Sequence, residues 1–120
     1  MLINLSNHPS TQWSEKQKKA SVIYGEILDL PFPIVDETAD EAYIRMLAEK
    51  YLQIILEIAK TERVVVHVMG ELTFTFLLVS FLLKNDIKCM ASTTKRIVKE
   101  DKAKKEVVFC FEKFRNYEIE

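Results

Sequence analysis

The sequence is poor in the residues that break or cross-link a chain. Its 120 residues include only two glycines, three prolines and two cysteines. So few glycines and prolines exclude the collagen-like and low-complexity classes, and a 48% share of hydrophobic residues indicates a chain that folds around a core. A chain of this length fits one domain, so we expect a single globular unit.

The few cysteines exclude most cysteine-dependent sites. Cys89 and Cys110 fall in predicted strands, without CxxC or cysteine–histidine spacing around them. We therefore expect two buried, reduced thiols and a cytoplasmic protein. The segment from Met1 to Asn4 lacks the charged and apolar regions of a secretory signal, which agrees with that location.

Familiar phosphate, hydrolase and metal motifs are missing as well. The sequence contains no GxGxxG, no GxxxxGK[ST] and no GxSxG. A Rossmann dinucleotide site, a Walker-type site and a serine-hydrolase elbow therefore have no support. Histidines, cysteines and carboxylates do not recur at metal-ligand spacing. We predict neither a cofactor nor a metal ion.

Charge is nearly balanced overall but uneven along the chain. The formal net charge is -1, which gives no support for binding duplex nucleic acid or a membrane surface. Cations outnumber acids between Lys84 and Lys105, whereas Asp36 to Glu41 is acidic. An anionic ligand would favour the later region.

Hydrophobic periodicity predicts two strand–helix units in the first half of the chain. Gln17 follows Ser14 at capping-box spacing, which predicts where the first helix begins. Gly25 ends that helix, and Pro31 stops the strand that follows it. The predicted elements are a strand at Leu2 to Leu5, a helix capped by Ser14, a strand at Glu26 to Leu30, and a helix capped by Thr38 or Asp40 that runs to about Lys60.

The second half begins with a long apolar run, Val64 to Leu83. Glu71 near its middle disfavours a membrane span, and a buried strand followed by a helix explains the run better. The helix, Leu72 to Lys84, is apolar nearly all round, so we expect a dimer partner to cover a second face. Two further strands are predicted at Ile87 to Ser92 and Glu106 to Arg115, the last returning antiparallel as a long hairpin through the polar segment Thr93 to Lys105.

These elements predict an α/β fold, a three-layer Rossmann-like sandwich with a mostly parallel sheet and a C-terminal antiparallel edge strand. If strands 1 and 3 are neighbours, with strand 2 outside strand 1, a crevice opens between the loops Ser6 to Ser10 and Gly70 to Thr73. The segment Ser92 to Arg96 leaves strand 4 at the same edge. We therefore place the candidate site there.

The polar side chains at this edge have a functional and a structural interpretation. Asn7 and His8 either orient a ligand, with His8 moving a proton near neutral pH, or belong to a loop that caps the sheet edge, with His8 in solvent. Gly70 permits close approach of a ligand to the backbone, near the hydroxyls of Thr73 and Thr75. The run after strand 4 either holds a phosphate or forms a solvated hairpin entrance; it comprises Ser92, Thr93, Thr94, Lys95 and Arg96.

Three further residues have a structural interpretation, and for one of them, Trp13, a role in ligand binding is also open. Trp13 either stacks on a base or packs beneath the first helix. His67 lies inside a strand, where a core histidine with satisfied hydrogen bonds is expected. Glu71 already satisfies the helix dipole, which disfavours an anion beside it.

The ordered pattern of Asn7-His8-Pro9 with Trp13, then Val65 to Gly70 before an apolar helix, then Ile87 to Thr94, resembles the small stand-alone CRISPR-associated proteins related to CARF (CRISPR-associated Rossmann fold) domains. Several of those families look like ring nucleases, which bind cyclic oligoadenylate second messengers across a dimer axis and cut them. The resemblance implies a single CARF-like domain over residues 1–120, a cyclic oligoadenylate or other nucleotide ligand, and a homodimer.

The resemblance also implies metal-independent cleavage, in which a ribose 2′-OH attacks the adjacent phosphate and the protein supplies positioning and charge stabilisation. A nucleotide sensor that does not cut, and a structural dimer without a ligand, remain alternatives. The catalytic candidates are His8, Asn7, Thr73 and Lys95, and the ligand-binding candidates are Ser6, Ser10, Trp13, Gly70, Glu71, Thr75, Ser92, Thr93, Thr94 and Arg96.

Overall fold

A computed structural model describes residues 1–119 as a five-stranded sheet with helices on both faces. Short 3-10 turns at Ser10–Gln12 and Val22–Tyr24 flank the first helix. The strands are β1 (Leu2–Ser6), β2 (Ile27–Asp29), β3 (Val65–Met69), β4 (Lys88–Asp101) and β5 (Lys104–Asn116), and the helices are α1 (Glu15–Ser21), α2 (Glu41–Ala59) and α3 (Leu72–Lys84).

The sheet has the strand order β2-β1-β3-β4-β5. Strands β1 to β4 are parallel, and β5 pairs antiparallel with β4 at the edge. The predicted three-layer, mostly parallel sandwich with an antiparallel edge strand is confirmed. Because β1 lies between β2 and β3, the chain direction across the sheet reverses at β1, which makes the β1/β3 boundary the switch point of the fold.

Two predicted helix starts are confirmed in atomic detail. The Ser14 hydroxyl accepts a hydrogen bond from the Gln17 N–H at 3.2 Å. Asp40, rather than Thr38, caps α2, because its carboxylate accepts from the Tyr43 N–H at 3.0 Å. Each cap satisfies a backbone donor that the helix itself leaves unpaired.

The core is divided by the sheet into two unequal clusters. Helices α2 and α3 cover the face that carries Ile3 and Val66, with Phe74 fully buried among them. On the opposite face, Leu2 and Met90 of the sheet pack against Trp13. Strand β1 is therefore buried on both faces, as a central parallel strand should be.

Helix α3 finds a second apolar surface within the same chain. It packs along α2, which buries Leu78 and Val79 together with Phe74. Leu72 and Phe76 nevertheless remain 83% and 75% exposed. No helix among the described residues is long and apolar enough to cross a membrane.

Strands β4 and β5 form a longer hairpin than the sequence predicts. They pair as far as Asp101 and Lys104, so most of the polar segment after Ser92 is strand. A register shift at Thr93/Thr94 turns Phe111 and Phe114 to one side of the sheet, with ring centroids 5.0 Å apart. This shift accounts for the imperfect alternation of apolar residues in β5.

The hairpin also decides the environment of the cysteines. Cys89 is buried in the core, as predicted. The prediction of a buried thiol is wrong for Cys110, which is exposed. Cys110 pairs with the exposed Lys95 in the outer part of the hairpin, beyond the cover of the helices.

Substituting Gly70 by Ala is expected to destabilise the protein. An added Cβ would overlap the ring of Phe32, and that ring is held edge-on against Phe74 with centroids 5.3 Å apart. Overpacking of this kind costs about 1–3 kcal/mol, measurable by urea unfolding. In a Phe32→Ala background the same substitution should cost less than half as much. Equal costs in both backgrounds would contradict the proposed overlap.

Candidate functional site

A cleft of about 580 Å³ opens at the carboxyl edge of β1 and β3 and continues along the β4–β5 hairpin. Its position is the switch point of the sheet, where open α/β folds bind ligands. The lining comprises Ser6, Asn7, His8, Gln12, Trp13, Ser14, Gln17, His67, Met69, Gly70, Ser92, Thr94, Phe109 and Phe111.

The structure brings together three segments that the sequence placed at one edge. The loop after β1 and the middle of β4 contribute side chains to the cleft, and the turn after β3 contributes the backbone of Gly70. Ser10 lies just behind, where its hydroxyl donates to Asp29 Oδ2 at 2.7 Å. The predicted site residues that line the cleft are Ser6, Asn7, His8, Trp13, Gly70, Ser92 and Thr94.

The start of α3 lies outside this cleft. The Glu71 carboxylate caps the helix by accepting from the Phe74 N–H at 2.7 Å and from the Thr73 hydroxyl. The Thr73 hydroxyl and the Phe74 N–H hold the pKa of Glu71 below its usual value. Thr73 lines a different cavity, between α2 and α3, and the Thr75 hydroxyl is buried without a hydrogen-bond partner among residues 1–119.

The cations of the hairpin also lie outside the cleft. Lys95 follows Thr94 along β4, and successive side chains of a strand point to opposite faces. Arg96 is exposed farther out, and the Thr93 hydroxyl donates to the Lys113 carbonyl at 3.1 Å. No Lys, Arg, Asp or Glu of the described chain lines the cleft. A ligand bound there therefore meets neutral hydrogen-bonding groups and aromatic rings.

His67 is the main site residue that the sequence did not indicate. It is 2% exposed, and its Nδ1 and Nε2 lie 2.9 Å from Asn4 Oδ1 and 2.7 Å from Ser92 Oγ. The prediction of a core histidine with satisfied hydrogen bonds is confirmed, but the same imidazole also forms part of the cleft floor. Burial lowers the pKa of His67 to about 4, so the ring is neutral at pH 7.

Five polar side chains form a continuous hydrogen-bonded line across this face of the sheet. Asn4 Nδ2 donates to Asp29 Oδ1 at 2.8 Å, and Gln17 Nε2 donates to Ser92 Oγ at 3.1 Å. His67 joins the two pairs through Asn4 and Ser92. We call this line the polar row: Asp29, Asn4, His67, Ser92 and Gln17.

Asp29 anchors the polar row at the loop after β1. Partial burial raises the pKa of its carboxyl, but hydrogen bonds from the Ser10 hydroxyl, the Asn4 amide and the Ser10 N–H outweigh that effect. The pKa of Asp29 is therefore lowered, and the group is an anion at neutral pH. The row thus has a fixed negative charge at one end and an opening to the cleft at Ser92.

Aromatic side chains cover the middle of the polar row. Trp13 is 6% exposed and packs edge-on against His67, with centroids 5.5 Å apart, and against Phe114. Trp13 therefore packs beneath the helix layer, the second of its two predicted roles, while its outer edge forms cleft wall. Its indole N–H has no hydrogen-bond partner within residues 1–119.

Comparison with known proteins places the chain in a family. Residues 1–115 match the family model described as the uncharacterized protein MJ1673 family. No curated protein and no solved structure matches the chain. In the described part of the chain, His, Cys, Asp and Glu side chains do not gather in groups of three or more that could hold a metal ion.

Proposed function

We propose that this chain, which belongs to the uncharacterized protein MJ1673 family, binds a cyclic oligoadenylate across a homodimer and cleaves it by metal-independent attack of a ribose 2′-OH. It would act as a ring nuclease of the CARF-like type in cytoplasmic type III CRISPR defence. The observation that carries the proposal is the cleft at the β1/β3 switch point, with hydroxyls, amides and a buried imidazole on its floor. Its volume lies in the range of small-molecule sites.

The walls of the cleft suit the parts of a nucleotide. Phe109 is 64% exposed and offers an aromatic face on which an adenine can stack, beside the edges of the buried rings of Trp13 and Phe111. Asn7 and His8 stand at the end of β1, where they can hold a ribose or the leaving oxygen in line with the phosphate. Metal-independent cleavage of this kind depends on such positioning more than on a strong nucleophile.

Phosphate charge would be met at the hairpin rather than inside the cleft. Lys95 and Arg96 are exposed on β4, and neither lines the cleft. We assign them the attraction of an anionic ligand toward the cleft mouth, an effect that weakens with salt. We assign Thr73 and Thr75 no contact with the ligand, because Thr73 lines the cavity between α2 and α3 and Thr75 is buried within the fold.

The test is incubation with cyclic tri-, tetra- and hexa-adenylate in EDTA, with products resolved by mass spectrometry. We expect linear products that end in a cyclic phosphate. His8→Ala should slow single-turnover cleavage by about 10²-fold, because histidine is the side chain suited to proton transfer near neutral pH. Gln53→Ala, on the outer surface of α2, is the control and should cut at the wild-type rate. An unchanged rate in His8→Ala would remove His8 from the site.

A nucleotide sensor that does not cut is the second candidate. It is favoured by the neutral lining, because an uncharged cleft offers little stabilisation to a transition state that gains negative charge. A sensor would bind a ring tightly, leave it intact, and gain about 2.7 kcal/mol of stability at a ligand concentration of a hundred times the Kd. Thermal melting in the presence of each ring separates this outcome from the absence of binding.

A further inference from the structure

We infer that Ser92 and His67 form the proton acceptor of the cleft, in which the Ser92 hydroxyl passes a proton from a ligand hydroxyl to His67 Nε2. The inference rests on the proposed function, because it names the groups that activate the attacking 2′-OH. The substrate class is a nucleotide with a free ribose 2′-hydroxyl seated against Ser92. Neither the sequence motifs nor the family match assigns this role.

Asn4 fixes the direction of every hydrogen bond in the polar row. Its Nδ2 faces two groups that only accept, the His8 carbonyl at 2.9 Å and Asp29 Oδ1 at 2.8 Å. Asn4 Oδ1 is therefore the atom that faces His67 Nδ1 at 2.9 Å, and it must accept the Nδ1 proton. In the neutral ring His67 Nε2 then carries no proton and is free to accept one.

Ser92 is the group that connects this acceptor to the cleft. Its hydroxyl donates to His67 Nε2 at 2.7 Å and accepts from Gln17 Nε2 at 3.1 Å. A hydroxyl has one proton and two lone pairs, so one acceptor position remains for a ligand donor. Ser92 is half-buried and lines the cleft, whereas His67 is almost wholly covered. A ligand hydroxyl therefore reaches the imidazole through Ser92.

The proposed step balances without a further reactant. The 2′ oxygen forms a bond to phosphorus, its proton moves to Ser92 Oγ, and the original Ser92 proton moves to His67 Nε2. The bond from phosphorus to the 5′ oxygen breaks, and that oxygen takes a proton from His8 or from solvent. The product ends in a 2′,3′-cyclic phosphate. His67 then releases its proton to solvent through Ser92, and a His8 that has donated takes one back from solvent.

The charged end of the polar row supports an imidazolium during this step. Asn4 Oδ1 accepts the Nδ1 proton of His67, and Asn4 in turn donates to the Asp29 carboxylate. Hydrogen bonds that run toward a fixed anion offset part of the penalty that burial places on a charged ring. The phosphate of a bound ligand would favour it further.

A covalent role for Ser92 fits the geometry less well. Ser92 lies within β4 instead of on a sharp strand-to-helix turn, where nucleophilic serines are presented. Its own N–H, a natural oxyanion donor, points to Met69 Sδ at 3.1 Å. The relay needs only the side-chain hydroxyl, which is already aligned with Nε2.

The test separates binding of cyclic tetra-adenylate from its cleavage in the full chain. In Ser92→Ala and His67→Gln we expect a Kd within about threefold of wild type and a single-turnover rate lower by about 10²–10⁴-fold. Glutamine at position 67 can still accept from Ser92 but cannot take a proton. Imidazole added to His67→Ala should restore part of the rate. The control is Ser21→Ala, since the Ser21 hydroxyl donates to the Lys18 carbonyl away from the cleft.

Several results would overturn the relay. They are a wild-type rate in Ser92→Ala, a phosphoserine adduct at Ser92, or a ¹⁵N NMR spectrum showing the proton of His67 on Nε2. The spectrum is recorded on the wild-type protein, so it tests the proposed position of the His67 proton even where a variant fails to fold. Cyclic oligoadenylates that bind but remain uncut would refute the proposed cleavage. In that case the ¹⁵N chemical shift of His67 Nε2 tests the relay separately. The relay is supported if this shift changes with the natural ring and not with its 2′-deoxy counterpart, and overturned if both rings change it alike.

Discussion

Acidification from pH 7 to pH 4 is expected to lower the free energy of unfolding by about 3 kcal/mol through His67 alone. Burial lowers the pKa of this imidazole from 6.5 to about 4. Between these values the unfolded chain binds a proton at His67 that the folded chain excludes, so stability falls as the pH falls. The part of the free energy of unfolding that depends on a neutral His67 is fully present above pH 6.5 and is lost by the time the pH reaches the folded-state pKa of about 4.

Urea unfolding at a series of pH values measures this dependence, with His67→Gln as the control. The variant cannot titrate at position 67, so its stability should change much less between pH 6.5 and pH 5. The pKa values of Asp29 and Glu71 are lowered as well, so these groups also make stability fall in acid, but only at pH values below the usual carboxyl pKa. If the free energy of unfolding changed equally with pH in the wild type and in His67→Gln above pH 5, burial of His67 would not be the cause of the acid sensitivity.

The layers of the fold could be predicted because hydrophobic periodicity is a local property of the chain. The limits predicted for α3 agree with the structure, and the alternation of strands and helices led directly to a parallel sheet. The length of β4 could not be predicted in the same way. Beyond Thr94 its side chains are mostly polar and mostly exposed, so backbone pairing with β5 extends the strand where hydrophobic burial does not.

The location of the candidate site could be predicted, but its chemistry could not. A general rule of parallel sheets places the loops after β1 and β3 at one edge. The polar row depends instead on register, which pairs Asn4 with Asp29 on one side and with His67 on the other. The sequence shows Asn4 and His67 only as isolated polar residues in apolar strands. Their hydrogen bond becomes visible once β1 and β3 are aligned.

Strand alternation and helix direction explain which candidates lie elsewhere. The extra residue of the register shift at Thr93/Thr94 lies in β5, so side chains still alternate along β4. Because Lys95 and Ser92 differ by an odd number of positions, Lys95 faces away from the cleft. Thr73 leaves with α3 toward the α2 face. Proximity in sequence to the sheet edge therefore did not decide which side of the sheet a side chain reaches.

Replacement of Phe74 by Ala is expected to destabilise the protein by about 3–5 kcal/mol, a large share of the total for a domain of this size. The ring is fully buried and lies edge-on to Phe32 and Tyr51, with centroid separations of 5.3 Å and 5.5 Å. Its removal leaves a cavity where α2, α3 and the sheet meet. Chemical denaturation of the wild type and of Phe74→Ala gives the difference in the free energy of unfolding.

Phe76→Ala is the matched control, because it removes the same atoms from the same helix. Phe76 is largely exposed, and we expect its substitution to change stability by less than about 0.5 kcal/mol. The difference between the two variants isolates burial from helix propensity, which is common to both. A loss below about 1 kcal/mol for Phe74→Ala would mean that α3 is not held by this ring.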